Sequence, residues 1–411
     1  MIYRKLWKIF LCVLPVFLWS SCKKHKENKI EPTEEFVRYV NSDTLSGDLV
    51  PLDIVATADG GYLILGSSPS PDFLYHKTYI LKVDQEGKYN WDAYLNTQYL
   101  NPVSDIMVKN GEYYLMCMDQ LTGTYLVKIN ESTHGADLVH YFTSISLPLA
   151  ASATPDGGYL ILNCSLGDNY TAFTKVGADF KTVWQKIFYF SDPSFTESVD
   201  RHVKREIPPL PFFTGTVAEN GVATAYYFNG YNNNLSCQFV NPDNGKITGF
   251  TVLEGDRAYA SIRTLIPLGK STFALSYYDR SSIDYLNPKD TLDIFSSTPT
   301  AVTGILGKTY PEIETNSRIV SRKYTLSGRD VIVYAANTKN KGVALYAYDV
   351  STGDYLGSKI FSLETPCEMG GFVPAADGGL MVMAKTYIDS RFPRVCLFKM
   401  SAEDVKKLIG M

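Results

Sequence analysis

Most signatures of catalysis are missing from this 411-residue chain. It has no H-E-x-x-H, no G-x-S-x-G, no Walker loop and no dinucleotide fingerprint, which removes the common metalloprotease, hydrolase and nucleotide-binding classes. The turns that carry Asp-Gly-Gly lack the D-x-D-x-D-G spacing of a calcium loop and read as hairpin chemistry instead. Histidine is scarce: His25, His76, His134, His140 and His202 are the whole supply, so any three-ligand site would have to be assembled from distant segments. Of seven cysteines, Cys12 and Cys22 lie near the N-terminus; Cys117, Cys164, Cys237, Cys367 and Cys396 are widely spaced with no C-x-x-C. An odd, scattered set is neither a disulfide framework nor a zinc site, and these five read as small buried apolar residues. Long amphipathic helical stretches are also lacking.

Aromatic and strand-forming residues are abundant. Twenty-nine Tyr and 21 Phe stand among Val, Ile and Thr, punctuated by 30 Gly and 20 Pro, a composition that favours an all-β chain.

Residues 1–21 stand apart. Arg4, Lys5 and Lys8 form a basic start, "IFLCVLPVFLW" is an apolar run too short to span a bilayer, and small residues precede Cys22, the layout of a secretory leader. The stretch resembles a bacterial lipoprotein signal peptide, although Trp19 departs from the strict lipobox. The resemblance implies lipidation at Cys22, a membrane partner through that lipid, and residence in the cell envelope of a Gram-negative bacterium, on the outer membrane. Residues 22–33 then read as a polar, flexible tether. Without the leader, 36 Lys and Arg face 43 Asp and Glu, a balance of −7. That acidity disfavours a nucleic-acid partner.

The folded part repeats a phrase. "TADGGYLILGSS" at Thr57, "TPDGGYLILNCS" at Thr154 and "AADGGLMVMAKT" at Ala375 are strong copies. Weaker turns fall at Asn110-Gly111, Asn220-Gly221, Gly269-Lys270 and Ser327-Gly328, making seven at intervals of roughly 46 to 64 residues, the scale of propeller blades. Each unit reads as strand, tight turn, apolar strand, variable loop, third strand, polar turn, fourth strand. Stacking such units around an axis covers both faces of each sheet. The expectation is a single domain over residues 34–411, a seven-bladed β-propeller of four-stranded antiparallel blades. The segment Glu34–Val40 is expected to supply the last outer strand, and "SAEDVKKLIGM" a C-terminal helix capped at Ser401.

The third turn and fourth strand resemble the tryptophan-docking repeat of quinoprotein-like propellers. Asp84, Gly87, Lys88 and Trp91 match in the first blade, and Asp179, Lys181 and Trp184 in the third. Asp349, Thr352 and Gly353 match in the sixth, where Gly357 replaces the tryptophan, as Gly249 does in the fourth. The resemblance supports the fold and carries no catalytic residue over; recurrence at one blade position makes Trp91 and Trp184 packing residues between blades, and no cofactor is expected. Tyr62 and Tyr159 read as packing residues too.

Nearly every long insertion falls in loops of one face, and function concentrates on elaborated loops held by a rigid scaffold. Residues 68–77 offer Tyr75 and His76. In 191–211, Arg201, His202, Lys204 and Arg205 make the densest charged stretch, suited to an anionic group or else a solvated loop. In 228–234, Tyr231 and Asn233 could stack and hydrogen-bond a sugar or peptide, or simply form a strand end and turn. Residues 279–300 add Arg280 and Tyr285, and 387–394 add Arg391. Carboxylates such as Glu197 and Asp284 share these loops, but spacing places no two within reach. The reading is a non-enzymatic envelope lipoprotein whose loop face binds a glycan, peptide or partner protein. The alternative is a propeller enzyme, acting on polysaccharide or as a quinoprotein-like oxidoreductase.

Overall fold

A computed structural model of the chain describes residues 33–40, 48–103, 105–190, 192–232, 234–252, 261–279, 281–296, 300–301, 307–388 and 392–411. Seven sheets follow one another along the sequence as the blades of a propeller. Calling the strands a to d from first to last, blade one comprises Val50–Ala56, Tyr62–Ser68, Lys77–Val83 and Tyr89–Tyr94. Blades two, three and six repeat that four-stranded order. Blade seven has Cys367–Pro374, Leu380–Ile388 and Phe392–Met400, and its fourth strand is Phe36–Tyr39 from the N-terminus, antiparallel to the third with Phe36 opposite Lys399. The ring is therefore closed by the segment expected to close it. The C-terminal helix Ala402–Leu408 is also present, with Ser401 Oγ accepting from the Asp404 amide at 3.2 Å.

Three segments read as loops contain regular structure. Pro193–Val203 is a helix, here α1, inside 191–211. In 228–234 the strand-end alternative holds for the described residues, which belong to the strands Val222–Asn232 and Asn234–Val240. Asp284–Thr291, within 279–300, is the third strand of blade five. Among the described residues blade five has three strands, while Thr300–Ala301 pairs in parallel with the outer edge of blade four.

The repeated phrase has a physical cause. In blades one, three and seven the first glycine of the turn takes φ of +85°, +83° and +84° at Gly60, Gly157 and Gly378, a region only glycine adopts freely. At the second glycine a Cβ would lie 2.4, 2.1 and 2.3 Å from the carbonyl oxygens of Val83, Val176 and Met400. That closeness lets a buried lysine of the third strand reach the turn aspartate. Lys82 meets Asp59 at 2.7 Å, Lys175 meets Asp156 at 2.8 Å and Lys399 meets Asp377 at 2.8 Å. Burial pushes the Asp59 carboxyl up, but the bonds from Lys82, Thr57 and the Gly61 amide together outweigh it and hold the group at about 2. The backbone amide of Thr33 donates to Asp377 at 2.9 Å, so the closing segment is clamped onto the seventh copy of the pair.

Trp91 and Trp184 dock on the next blade. Trp91 stacks on His134 at 4.8 Å and 9°, and the Trp184 indole donates to the Pro242 carbonyl at 2.8 Å with its ring against Gly245. At the equivalent glycines, backbone replaces indole: a Cβ on Gly249 would sit 2.6 Å from the Ile294 carbonyl carbon, and one on Gly357 2.6 Å from the Leu408 oxygen of the C-terminal helix. Tyr62 and Tyr159 are core residues, and the five cysteines from Cys117 onward are free and buried.

Candidate functional site

The face carrying the b–c loops and blade-to-blade connections is built around α1. Asp192 caps it, accepting from the Ser194 amide at 2.9 Å, and Pro193 opens the first turn, where its missing N–H costs nothing. Phe195, Val199 and Val203 form the buried face. They pack on Tyr75 and Tyr231, with Phe195 stacked on Tyr231 at 4.4 Å. Arg205 then takes φ +58°, and the chain leaves the helix as Ile207-Pro208-Pro209-Leu210-Pro211.

This strap lies at the mouth of the central channel. Three cavities, of about 400, 300 and 720 Å³, converge there, and both Pro209 and Arg318 line all of them. Two bonds fix the strap: the Leu210 amide donates to His202 Nδ1 at 2.9 Å, and Asn229 Nδ2 donates to the Pro211 carbonyl at 2.7 Å. With Nδ1 accepting, the neutral His202 ring carries its proton on Nε2. Burial, with the Arg205 charge adding to it, lowers His202 to about 3 and His76 to about 4.

The candidate residues fall into groups. His76, His202 and Arg205 line the same 300 Å³ cavity. Lys204 is tied to Asp200 at 2.7 Å, and Arg201 is exposed on the helix with Glu206 at 3.9 Å. Tyr75 and Tyr231 are buried in the core under α1, so their rings serve packing. Tyr285 lies in blade five, stacked on Tyr277 at 4.8 Å with its hydroxyl donating to Asp279 at 3.0 Å. Asn233, Arg280, Arg391 and Cys22 lie outside the described residues.

The channel holds charges that the sequence did not single out. Arg322 pairs with Asp53 at 3.4 Å and Asp105 at 3.1 Å, and Arg263 pairs with the buried Asp284. Arg318 instead gives its donors to neutral carbonyls: Pro51 at 3.3 Å, Met369 at 3.2 Å and Leu52 at 2.6 Å. A strand places alternate residues on one face, so Arg322 on the innermost strand Ile319–Leu326 of a blade, with Arg318 just before that strand, was the available signal. Burial, then the neighbouring Asp105 charge, raises Asp53 to about 6. Asp53 is only 5% exposed and accepts from the Ile106 amide at 2.7 Å, which makes it a brace between blades one and two. Among the described residues no group of three or more His, Cys, Asp or Glu is placed to hold a metal, and no helix is long and apolar enough to cross a membrane.

No family model matches the chain, and no curated protein matches it. Solved structures do. A chain of the Saccharomyces cerevisiae core factor aligns at 10% identity and TM-score 0.51, over 90% of this chain and 61% of that one. U3-55K aligns at 10% identity and TM-score 0.51, over 89% and 98%. A quinohemoprotein alcohol dehydrogenase from Pseudomonas putida aligns at 10% identity and TM-score 0.45, over 90% and 78%. The seven sheets define the class, a seven-bladed β-propeller. At such identities the likenesses speak for the fold alone.

Proposed function

We propose that this protein is a lipid-anchored component of a bacterial cell envelope whose propeller binds a ligand, without chemical turnover, at the loop-face mouth of its channel. The observation that carries this reading is the convergence of three cavities on Arg318 beneath the Pro209 strap. A concave site with a few convergent polar groups on a rigid scaffold is the usual form of a binding site. The leader ending at Cys22 supports the anchor, and the acidic balance of the remainder weighs against nucleic acid. The ligand is a glycan, a peptide or an exposed part of an envelope protein.

Photocrosslinking in intact cells tests the reading. A benzoylphenylalanine in place of Glu206, beside the strap, is expected to give membrane-fraction adducts that one in place of Asp243, on a c–d turn, does not give. In the same cells Cys22→Ser is expected to move the protein to the soluble fraction. Equal adduct yields from the two positions would refute the mouth as the seat, and membrane retention of the serine variant would refute the lipid anchor.

A further inference from the structure

Charge is distributed unevenly around the three cavities. Lys385 is matched by Glu368 at 2.7 Å, Lys341 by Glu314, Arg263 by Asp284, and Arg322 by Asp53 and Asp105. Exposed Lys323, on the 400 Å³ cavity, has no carboxylate within ion-pair distance among the described residues, and neither do Arg205 and Arg318, which are drawn further out of water. Arg205 Nη2 donates to the Pro102 carbonyl at 2.9 Å, and its Nε is buried with no acceptor. Both guanidinium groups line the 300 Å³ cavity. Its two histidines are held neutral by their burial, so they leave the positive charge undiminished. Glu368, held by Lys385, also lines this recess, and its charge acts on Arg318 from beyond ion-pair distance together with those of Asp53 and Asp105; among the described residues the two guanidinium groups still have no direct counter-ion. Both side chains are half-buried, and a charge drawn out of water is costly unless something pairs with it.

A second, independent observation narrows the occupant. Asn101 lines the same cavity, is 7% exposed, and its Oδ1 is buried without a donor. That oxygen is closed to solvent in this structure, so a turn of the Asn101 amide is what would present it to an O–H or N–H from outside the protein. Pro102, Val103, Leu149 and Phe212 supply apolar wall beside these polar groups, a surface suited to the C–H face of a ring.

We propose that this cavity is the seat of a small polyhydroxylated carboxylate, the chemistry of an acidic sugar. The carboxylate is held by Arg205 and Arg318, and a hydroxyl donates to Asn101 Oδ1. The proposal deepens the mouth-binding reading and rests on it. A neutral sugar leaves both guanidinium groups unmatched. A carboxylate without hydroxyls leaves Asn101 unmatched, and a hydrogen phosphate ion, which keeps an O–H to donate, has no C–H face to cover Pro102, Val103, Leu149 and Phe212. Guanidinium forks fit carboxylate geometry well, and the volume is at the small end of ligand pockets.

The test is calorimetry on the full chain in detergent with four probes: glucuronate, glucose, acetate and inorganic phosphate. Glucuronate is expected to bind about tenfold or more tightly than each of the others. Arg205→Gln and Arg318→Gln are each expected to weaken it by about tenfold or more, and Arg318→Lys by less, because the charge stays while the fork is lost. Asn101→Leu should bring glucuronate toward acetate while leaving acetate unchanged. Thermal melts of each variant separate lost binding from lost fold. Equal affinity for glucose, tighter binding of phosphate, or unchanged glucuronate affinity in folded Arg318→Gln would overturn the assignment. If glucuronate fails while adducts at position 206 persist, the acidic-sugar assignment falls and the mouth reading stands; if both fail, both fall.

Discussion

Buried positive charge meets opposite fates on the two faces of the ring. On the turn face, Lys82, Lys175 and Lys399 are 2%, 3% and 1% exposed, and each has an aspartate within 2.8 Å. At the loop-face mouth, the described residues give Arg205 and Arg318 only neutral carbonyls. The lysines are part of the hairpin that repeats through the sequence, so pairing is local to each blade and serves the fold. The arginines come from a connection and from just before an inner strand, and no blade-level rule supplies them with a carboxylate. A chain that can pair its buried cations so regularly, and leaves two unpaired at a concave surface, departs from consistency where function is expected.

Removing the acid from the paired side should have the largest effect. Asp377→Asn leaves Lys399 buried without a counter-charge and loosens the clamp on Thr33, so urea unfolding of the full chain should show a loss of about 3–5 kcal/mol. Asp59→Asn and Asp156→Asn should lose less, because those carboxylates are 56% and 57% exposed against 5% for Asp377 and water reaches the vacated lysines. Acid does the same to the native protein. Burial pushes the Asp377 carboxyl up, but Lys399 and Thr33 hold it down to about 2. Its contribution is therefore complete above the unfolded value of about 3.9 and disappears as pH falls through about 2. Equal losses in the three variants would show that closure of the ring adds nothing to the seventh pair.

The unpaired side should respond differently. Arg318→Gln removes a charge whose pKa burial already lowers, and the three carbonyls it served border cavities large enough for water to take over. Stability within about 1 kcal/mol of the parent is expected, against several for Lys399→Gln. A loss from Arg318→Gln as large as that from Lys399→Gln would make Arg318 a structural brace and erase the contrast between the faces.

The regular half of this contrast was legible in the sequence, and the irregular half was not. Positive φ at Gly60, Gly157 and Gly378 leaves a compositional mark, and the recurrence of that mark shows the blades and their closure by Glu34–Val40. The lysines were equally visible as "ILKV", "FTKV" and "LFKM", but only the structure shows why a lysine sits there. Helix α1 was missed although Asp192-Pro193 and the spacing of Phe195, Val199 and Val203 are helix signals; the charged run after them read as loop. Asp284–Thr291 was missed because Asn287-Pro288 looks like a turn, whereas Pro288 lies at a register shift against Ala274, where a strand tolerates proline. Nothing local distinguishes Arg318 from Arg322. The partners of Arg322, Asp53 and Asp105, lie 269 and 217 residues away, so pairing is a property of ring closure and cannot be read from neighbouring sequence.

The smallest effect concerns the neutral histidine beside the unpaired arginines. Burial and Arg205 lower His202 to about 3, while the unfolded chain binds that proton near pH 6.5. Between those values the unfolded state holds more protons, so stability falls as pH drops, by at most about 1.4 kcal/mol per unit for one such group. Asp53 and Asp284, both raised to about 6 mainly by burial, act with the opposite sign: their folded forms take up protons first, and stability rises as pH drops from about 6 toward 4. His76, Asp59 and Asp377, all lowered, add to the slope with the sign of His202, so the slope of the parent mixes opposing contributions and the difference from a variant says more. His202→Asn keeps an acceptor for the Leu210 amide and removes one acid-sensitive group. Its stability relative to the parent should therefore grow steadily as pH falls from 6.5 to 4.5, measured by urea unfolding at each pH. A constant difference over that range would mean that His202 is protonated in the folded protein. It would then stand as a third cation at the mouth, and the charge available to an anionic ligand would be greater than two arginines supply.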